Sequence, residues 1–169
     1  MNTIEIYAPA AIVREFLLGP ELVLRLNPSW YIKDIKTADK DVYEITLYDD
    51  KTDGDLQIIL AIEERNNVIN YRINSNVTEF IIHELSPSIT ELSIEGDFIR
   101  KEDLPYWLKG LKNYIQLEAK QSRMMKWFLD SLWFRMTPSQ RRIALIIILA
   151  EGIGLAALAA VVLALKLLK

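Results

Sequence analysis

The 169-residue chain contains no cysteine, so no disulfide can staple it and no thiolate can act as nucleophile or metal ligand. Histidine occurs once, at His83. A catalytic or metal role there would need cysteine, further histidine or converging carboxylates at motif spacing, and none is present; His83 reads as a sheet residue. Glycine is sparse and forms no phosphate-cradling loop, because Gly152 and Gly154 lie in an apolar tail. Basic charge is in deficit. Residues 1–138 hold 16 Lys and Arg against 22 Asp and Glu, a net charge of −6 that makes the domain a poor partner for nucleic acid or an anionic lipid surface, while the basic residues gather near the apolar tail, where they can meet headgroups. There is no internal repeat and no low-complexity linker. Met1-Asn2-Thr3 leads straight into a strand-like pattern, so no amino-terminal signal peptide is expected.

The chain does have one long hydrophobic run. From Ile143 to Leu165 it reads IALIIILAEGIGLAALAAVVLAL, with Glu151 as the sole ionisable residue. A helix of that length spans roughly 34 Å, enough for a hydrocarbon core of about 30 Å. Thirteen Leu, Ile and Val residues contribute roughly −4 to −8 kcal/mol to insertion, against about 3 kcal/mol for one buried acid. Arg123, Lys126, Arg135, Arg141 and Arg142 precede the run and only Lys166 and Lys169 follow it. This bias predicts a single-pass, tail-anchored cell-membrane protein with its N-terminal domain in the cytoplasm. The expected division is a domain over 1–136, a juxtamembrane linker at 137–142, a transmembrane helix at 143–165 and a short tail at 166–169.

Within the domain, Ile4 and Ile6 alternate in a first strand over Asn2 to Tyr7. Pro9 and Gly19 bracket a helix with Ile12, Val13, Phe16 and Leu17 on one stripe, and Pro20 opens a second that ends at Asn27-Pro28. Six strands follow. Trp30 to Lys36 comes first, then faces formed by Tyr43, Ile45 and Leu47, by Leu56, Ile58, Leu60 and Ile62, and by Ile69, Tyr71 and Ile73. Val77 to Leu85 is a strand of open parity, and the last places Thr90, Leu92, Ile94 and Phe98 on one face. Such alternation implies an antiparallel sheet with one wet and one covered face. Leu104, Leu108, Leu111 and Ile115 mark the covering helix, expected from about Glu102 to Ser131.

The segment IEIYAPAAIVREFLLGPELVLRLNPSW, residues 4–30, resembles the opening of the START/Bet v 1-like (SRPBCC, polyketide-cyclase-like) superfamily, and SITELSIEGDFIR, residues 88–100, resembles its last strand. The resemblance covers residues 1 to about 130. It implies an α+β helix-grip fold: a curved seven-stranded antiparallel sheet, two short helices and one long C-terminal helix around an apolar cavity, here followed by a single transmembrane helix. Its members bind lipids, sterols, quinones, polyketides or plant hormones, and some are cyclases. The C-terminal anchor also resembles the arrangement in CoxG-type members, tied to carbon monoxide dehydrogenase and implicated in handling quinone.

The residues expected to line a cavity are Tyr43, Leu47, Leu56, Ile58, Tyr71, Ile73, Leu92, Ile94, Phe98, Leu108 and Leu111; the same set would equally form a filled core. Trp127, Phe128, Trp133, Phe134, Arg135, Arg141 and Arg142 suit a membrane interface, with aromatic bodies and cationic tips. Glu151 and Gly154, amid small residues four apart, suit contact with a second helix, in a homo- or hetero-oligomer. Asp49, Asp50, Asp53 and Asp55 crowd one turn but lack the calcium-loop pattern, and Glu63-Glu64 reads as surface. No catalytic residue, metal site or cofactor is expected. The leading expectation is a membrane-tethered carrier of a hydrophobic ligand of lipid, quinone or isoprenoid class. The alternative is a membrane-anchored accessory subunit or adaptor that binds a protein without a ligand. An enzyme, such as a cyclase or hydrolase, comes third.

Overall fold

Four hairpin turns carry Asp or Asn in the left-handed region: Asp41 (φ 57°), Asp53 (51°), Asn66 (55°) and Asn74 (52°). These residue types tolerate that conformation by bonding their own backbone, and they turn consecutive strands back on one another. The result, in the computed structural model, is an antiparallel meander. The structure describes residues 2–97, 99–119 and 123–167, with side chains for 2–97, 99–119 and 127–155.

The elements are β1 (Asn2–Ile6), α1 (Ala10–Leu18), α2 (Pro20–Arg25), β2 (Trp30–Asp39), β3 (Val42–Asp49), β4 (Gly54–Arg65), β5 (Val68–Ile73), β6 (Asn76–Ser86), β7 (Ile89–Glu95), α3 (Leu104–Ala119), α4 (Arg123–Ser131) and α5 (Pro138–Leu167). A 3-10 turn, Trp133–Arg135, joins α4 to α5. The seven strands form one antiparallel sheet in the order β1-β7-β6-β5-β4-β3-β2. Register shifts at Ile32/Asp34, Thr37/Asp39 and Glu84/Ser86 mark bulges, which bend the sheet. Helices α1 and α3 pack on the side of β1, β6 and β7, and α2 packs on β2. Where β7 ends, Gly96 has φ 138°, and a Cβ there would come within 2.5 Å of Thr78 Oγ1. Only glycine fits.

The α+β class, the seven antiparallel strands and their order with the two short helices are as expected from the alternation. The open parity of β6 is decided: Thr78, Phe80 and Ile82 are buried, whereas Val77 and Leu85 are exposed. Of the covering helix expected from about Glu102 to Ser131, α3 (Leu104–Ala119) and α4 (Arg123–Ser131) are described, and residues 120–122 between them lie outside the described residues. One expectation needs correction. The segment 137–142 is not a linker but the cap and first turn of α5. Gln140 N donates to Thr137 Oγ1 (3.3 Å) and Thr137 N donates to Gln140 Oε1 (2.9 Å), a reciprocal capping box with Pro138 in the first turn.

Among the described residues no helix is long and apolar enough to cross a membrane. The described side chains of α5, residues 138–155, include Arg141, Arg142 and Glu151. Yet every large aliphatic residue there, from Ile143 to Leu155, is exposed.

Candidate functional site

The centre of the sheet's apolar face is packed around Trp107, Phe80 and Tyr71. Trp107 of α3 is fully buried; its ring lies 6.0 Å from Phe80 and its Nε1 donates to Val23 O at 2.9 Å. Tyr71 meets Phe80 edge-on at 4.9 Å, and its hydroxyl donates to Leu17 O. Burial, with Tyr43 nearby, raises the Tyr71 pKa well above the usual tyrosine value, so the phenol is a neutral structural donor. Phe16, Tyr114 and Phe134 form a second aromatic series with centroid spacings of 5.4 and 5.8 Å.

Of the residues expected to line a cavity, Leu47, Tyr71, Ile73, Leu92, Ile94, Leu108 and Leu111 belong to this packed centre. Tyr43 and Ile58 are half-buried, and Leu56 is 39% exposed near the β3–β4 turn. Leu56 departs from the expected lining because it sits at the strand end, at the rim of the sheet. Phe98 lies outside the described residues. Depressions of 350 to 600 Å³ that open at the surface among the described residues are lined by residues other than Tyr71, Leu92, Ile94, Leu108 and Leu111.

One depression reaches the margin of the apolar face. It measures about 390 Å³ between α2 and β2–β3, with Leu22, Ile35 and Tyr43 as its apolar walls and Gly19-Pro20 at its lip. A wider groove of about 600 Å³ lies where α5 leaves the domain. Four cations, Arg25, Lys51, Arg141 and Arg142, share it with Asp50 and Asp103. Tyr106, Trp133 and Leu145 supply apolar wall.

The residues expected at a membrane interface divide here. Trp127, Arg135 and Arg142 are exposed, and Phe128 and Trp133 are half-buried. Phe134 is 3% exposed, locked against Tyr114, and so is part of the core. Arg141 is 8% exposed: its Nε donates to Trp133 O and Met136 O, both at 3.1 Å, and its Nη1 to Arg25 O at 3.3 Å. Burial first, then Arg25, draws its pKa down to about 10, which leaves it cationic at neutral pH. Ser139 and Arg142 both donate to Asp50, so the first turn of α5 is held to the β3–β4 turn. Glu151 and Gly154 stand on α5 with no neighbour to receive them among the described residues: Glu151 is exposed and nothing lies within 4 Å of a Cβ built on Gly154.

The acidic turn disperses. Asp49 is buried and pairs with Arg100, Asp53 accepts from Tyr48 at 2.6 Å, and Asp55 pairs with Lys33 at 2.6 Å. Among the described residues no three His, Asp or Glu side chains gather as a metal site. His83 is exposed on β6. Ser29 Oγ donates to Asp103 at 3.0 Å and Thr90 Oγ1 to Ala8 O at 2.7 Å, bonds that tie elements together.

No protein-family model and no curated protein matches this sequence. Solved structures do match it. The di-domain ARO/CYC StfQ from the steffimycin biosynthetic pathway aligns over 70% of this chain and 45% of its own, with a TM-score of 0.52 and 13% identity. A hypothetical protein from Sulfolobus tokodaii aligns over 75% and 96%, with a TM-score of 0.51 and 13% identity. A protein from Deinococcus radiodurans aligns over 71% and 96%, again at 0.51 and 13%. At such identities the likeness concerns the fold: a seven-stranded antiparallel sheet with helices, compatible with the SRPBCC-like architecture.

Sequence reasoning missed Trp107 and Phe80 as the plugs of the inner face, although Trp107 and Leu111 are four apart on one helical stripe. It also missed Arg25, whose Nη1 donates to Phe134 O at 3.1 Å across 109 residues. No local pattern carries that information.

Proposed function

We propose that this is a single-pass membrane protein whose domain, of START/Bet v 1-like kind, binds a hydrophobic molecule at the cytoplasmic bilayer surface and does not transform it. The observation that carries the reading is α5: Ile143, Leu145 to Leu149, Ile153 and Leu155 are all exposed there, and the sequence continues apolar to Leu165. So much aliphatic surface needs a cover, and a bilayer supplies one on all sides of a helix. The basic residues before the run support the cytoplasmic orientation. Supporting a ligand is the apolar depression at Leu22, Ile35 and Tyr43, which opens onto the margin of the sheet's inner face. A lipid, quinone or isoprenoid suits these walls.

A second reading, an adaptor that binds a protein and carries no ligand, is favoured by the packed centre around Trp107. One experiment separates the two. Full-length protein purified in mild detergent is extracted with organic solvent and the extract analysed by mass spectrometry, beside the Ile35→Glu variant. The carrier reading expects one hydrophobic species near stoichiometry in the wild type, lost from the variant. A wild type that retains nothing would put the adaptor ahead.

A further inference from the structure

Arg141 is the anomaly of the groove at the base of α5. The other cations there face carboxylates: Arg25 pairs with Glu21 at 2.9 Å, Lys51 with Glu102 at 3.0 Å, and Arg142 with Asp50. Arg141 has no carboxylate, only three carbonyl oxygens, and its buried Nη2 has no partner among the described residues. A guanidinium taken out of water without a counter-charge is costly, and a free donor adds to that cost. The fold nonetheless holds it firmly, with its Cζ 5.8 Å above the ring of buried Phe134. Its lowered pKa reports the same stress.

The surroundings suit an anion. Of the four cations in the groove three are neutralised by carboxylates, so Arg141 alone is left without a counter-charge; Asp50 is occupied by Ser139 and Arg142, and Asp103 accepts from Ser29 and lies 3.9 Å from Lys51. One of the groove's walls is Leu145, three residues inside the apolar run, and Trp133 and Tyr106 are two others. A charged floor with an apolar wall fits an amphiphile's head.

The geometry points to an oxyanion site in this groove: Arg141, with Arg142 and Lys51 beside it, receives a phosphate group, carried by a lipid headgroup at the membrane surface. The lipid source rests on the membrane reading; the site does not. It is also separate from the depression at Tyr43, so an internal ligand and a headgroup could be held together.

Full-length protein in a non-ionic detergent is titrated with dioctanoyl phosphatidylglycerol, with dioctanoylglycerol, which has the same tails and no phosphate, and with inorganic phosphate, read by tryptophan fluorescence and thermal melting. Phosphatidylglycerol should bind and raise the melting temperature, dioctanoylglycerol should not, and Arg141→Gln should weaken binding about tenfold or more. Should Arg141→Gln fail to fold, Arg142→Gln, on the exposed side, should still weaken binding about threefold. Inorganic phosphate that binds as tightly as the lipid would keep the site and overturn the lipid source. A wild type indifferent to both phosphate probes, or a folded Arg141→Gln with unchanged affinity, would overturn the site. Carbonate extraction is read separately: a chain that binds the lipid yet washes from membranes at high pH retains the oxyanion site and loses the membrane reading.

Discussion

On β5 to β7, Ile69, Ile73, Leu92 and Ile94 are at most 8% exposed, whereas on α5 Ile146, Leu149 and Ile153 are between 63 and 71% exposed. The residue types are the same; their spacing is not. In the strands an apolar residue alternates with a polar one, so a single covering layer of helices buries the whole set. On α5 apolar residues point in every direction, and no one-sided partner from the same chain can cover them. The domain closes on itself, while α5 leaves its surface open to whatever surrounds it.

The largest expected effect attacks the α5 side of this comparison. Ile153→Arg together with Leu155→Arg places two cations near the middle of the apolar run, at a cost of about 6–8 kcal/mol to insertion, comparable with the whole aliphatic gain. The double variant should wash from membranes in carbonate while the wild type stays. If the wild type washes off as well, α5 is covered by something other than a bilayer.

The domain side is tested by Trp107→Ala and Leu92→Trp. Removing the buried indole should cost about 3–5 kcal/mol in a thermal or denaturant melt of the full-length protein. Leu92→Trp should overpack the closed centre and cost about 1–3 kcal/mol. A Leu92→Trp protein as stable as wild type would mean that the inner face has room for a ligand, and would move the binding site from the margin at Tyr43 to the centre. Leu56→Ala, at the exposed rim, should change stability by no more than about 0.5 kcal/mol.

The smallest effect lies at the junction between the two regions. Thr137→Ala removes one half of the capping box and should cost about 1 kcal/mol in the same melt. Gln140→Ala should cost less, and the double variant should cost less than the two together, since each side chain serves the same helix start. Additive losses would mean that the two residues act separately and that α5 does not begin as a capped unit on the domain.

Chain-local patterns carried much of this molecule. Period-two alternation and the Asp and Asn turns dictated seven antiparallel strands, paired prolines and glycines dictated the two short helices, and an unbroken apolar run dictated that α5 would not be an amphipathic surface helix. Such features depend on near neighbours, which any sequence displays. Three decisions belonged to the tertiary structure. The parity of β6 was ambiguous because Val77, Phe80, Ile81, Ile82 and Leu85 put apolar groups on both faces, and only pairing with β5 and β7 selected Phe80 and Ile82 for the interior. Whether the inner face was hollow or filled depended on how far Trp107 reaches from α3, a volume that periodicity does not encode. Arg141 looked like one more basic residue before the apolar run; its burial arises from contacts with Trp133, Met136 and the distant Arg25. Spacing along the chain reports which way a side chain faces, but the space it meets is set by residues a hundred positions away.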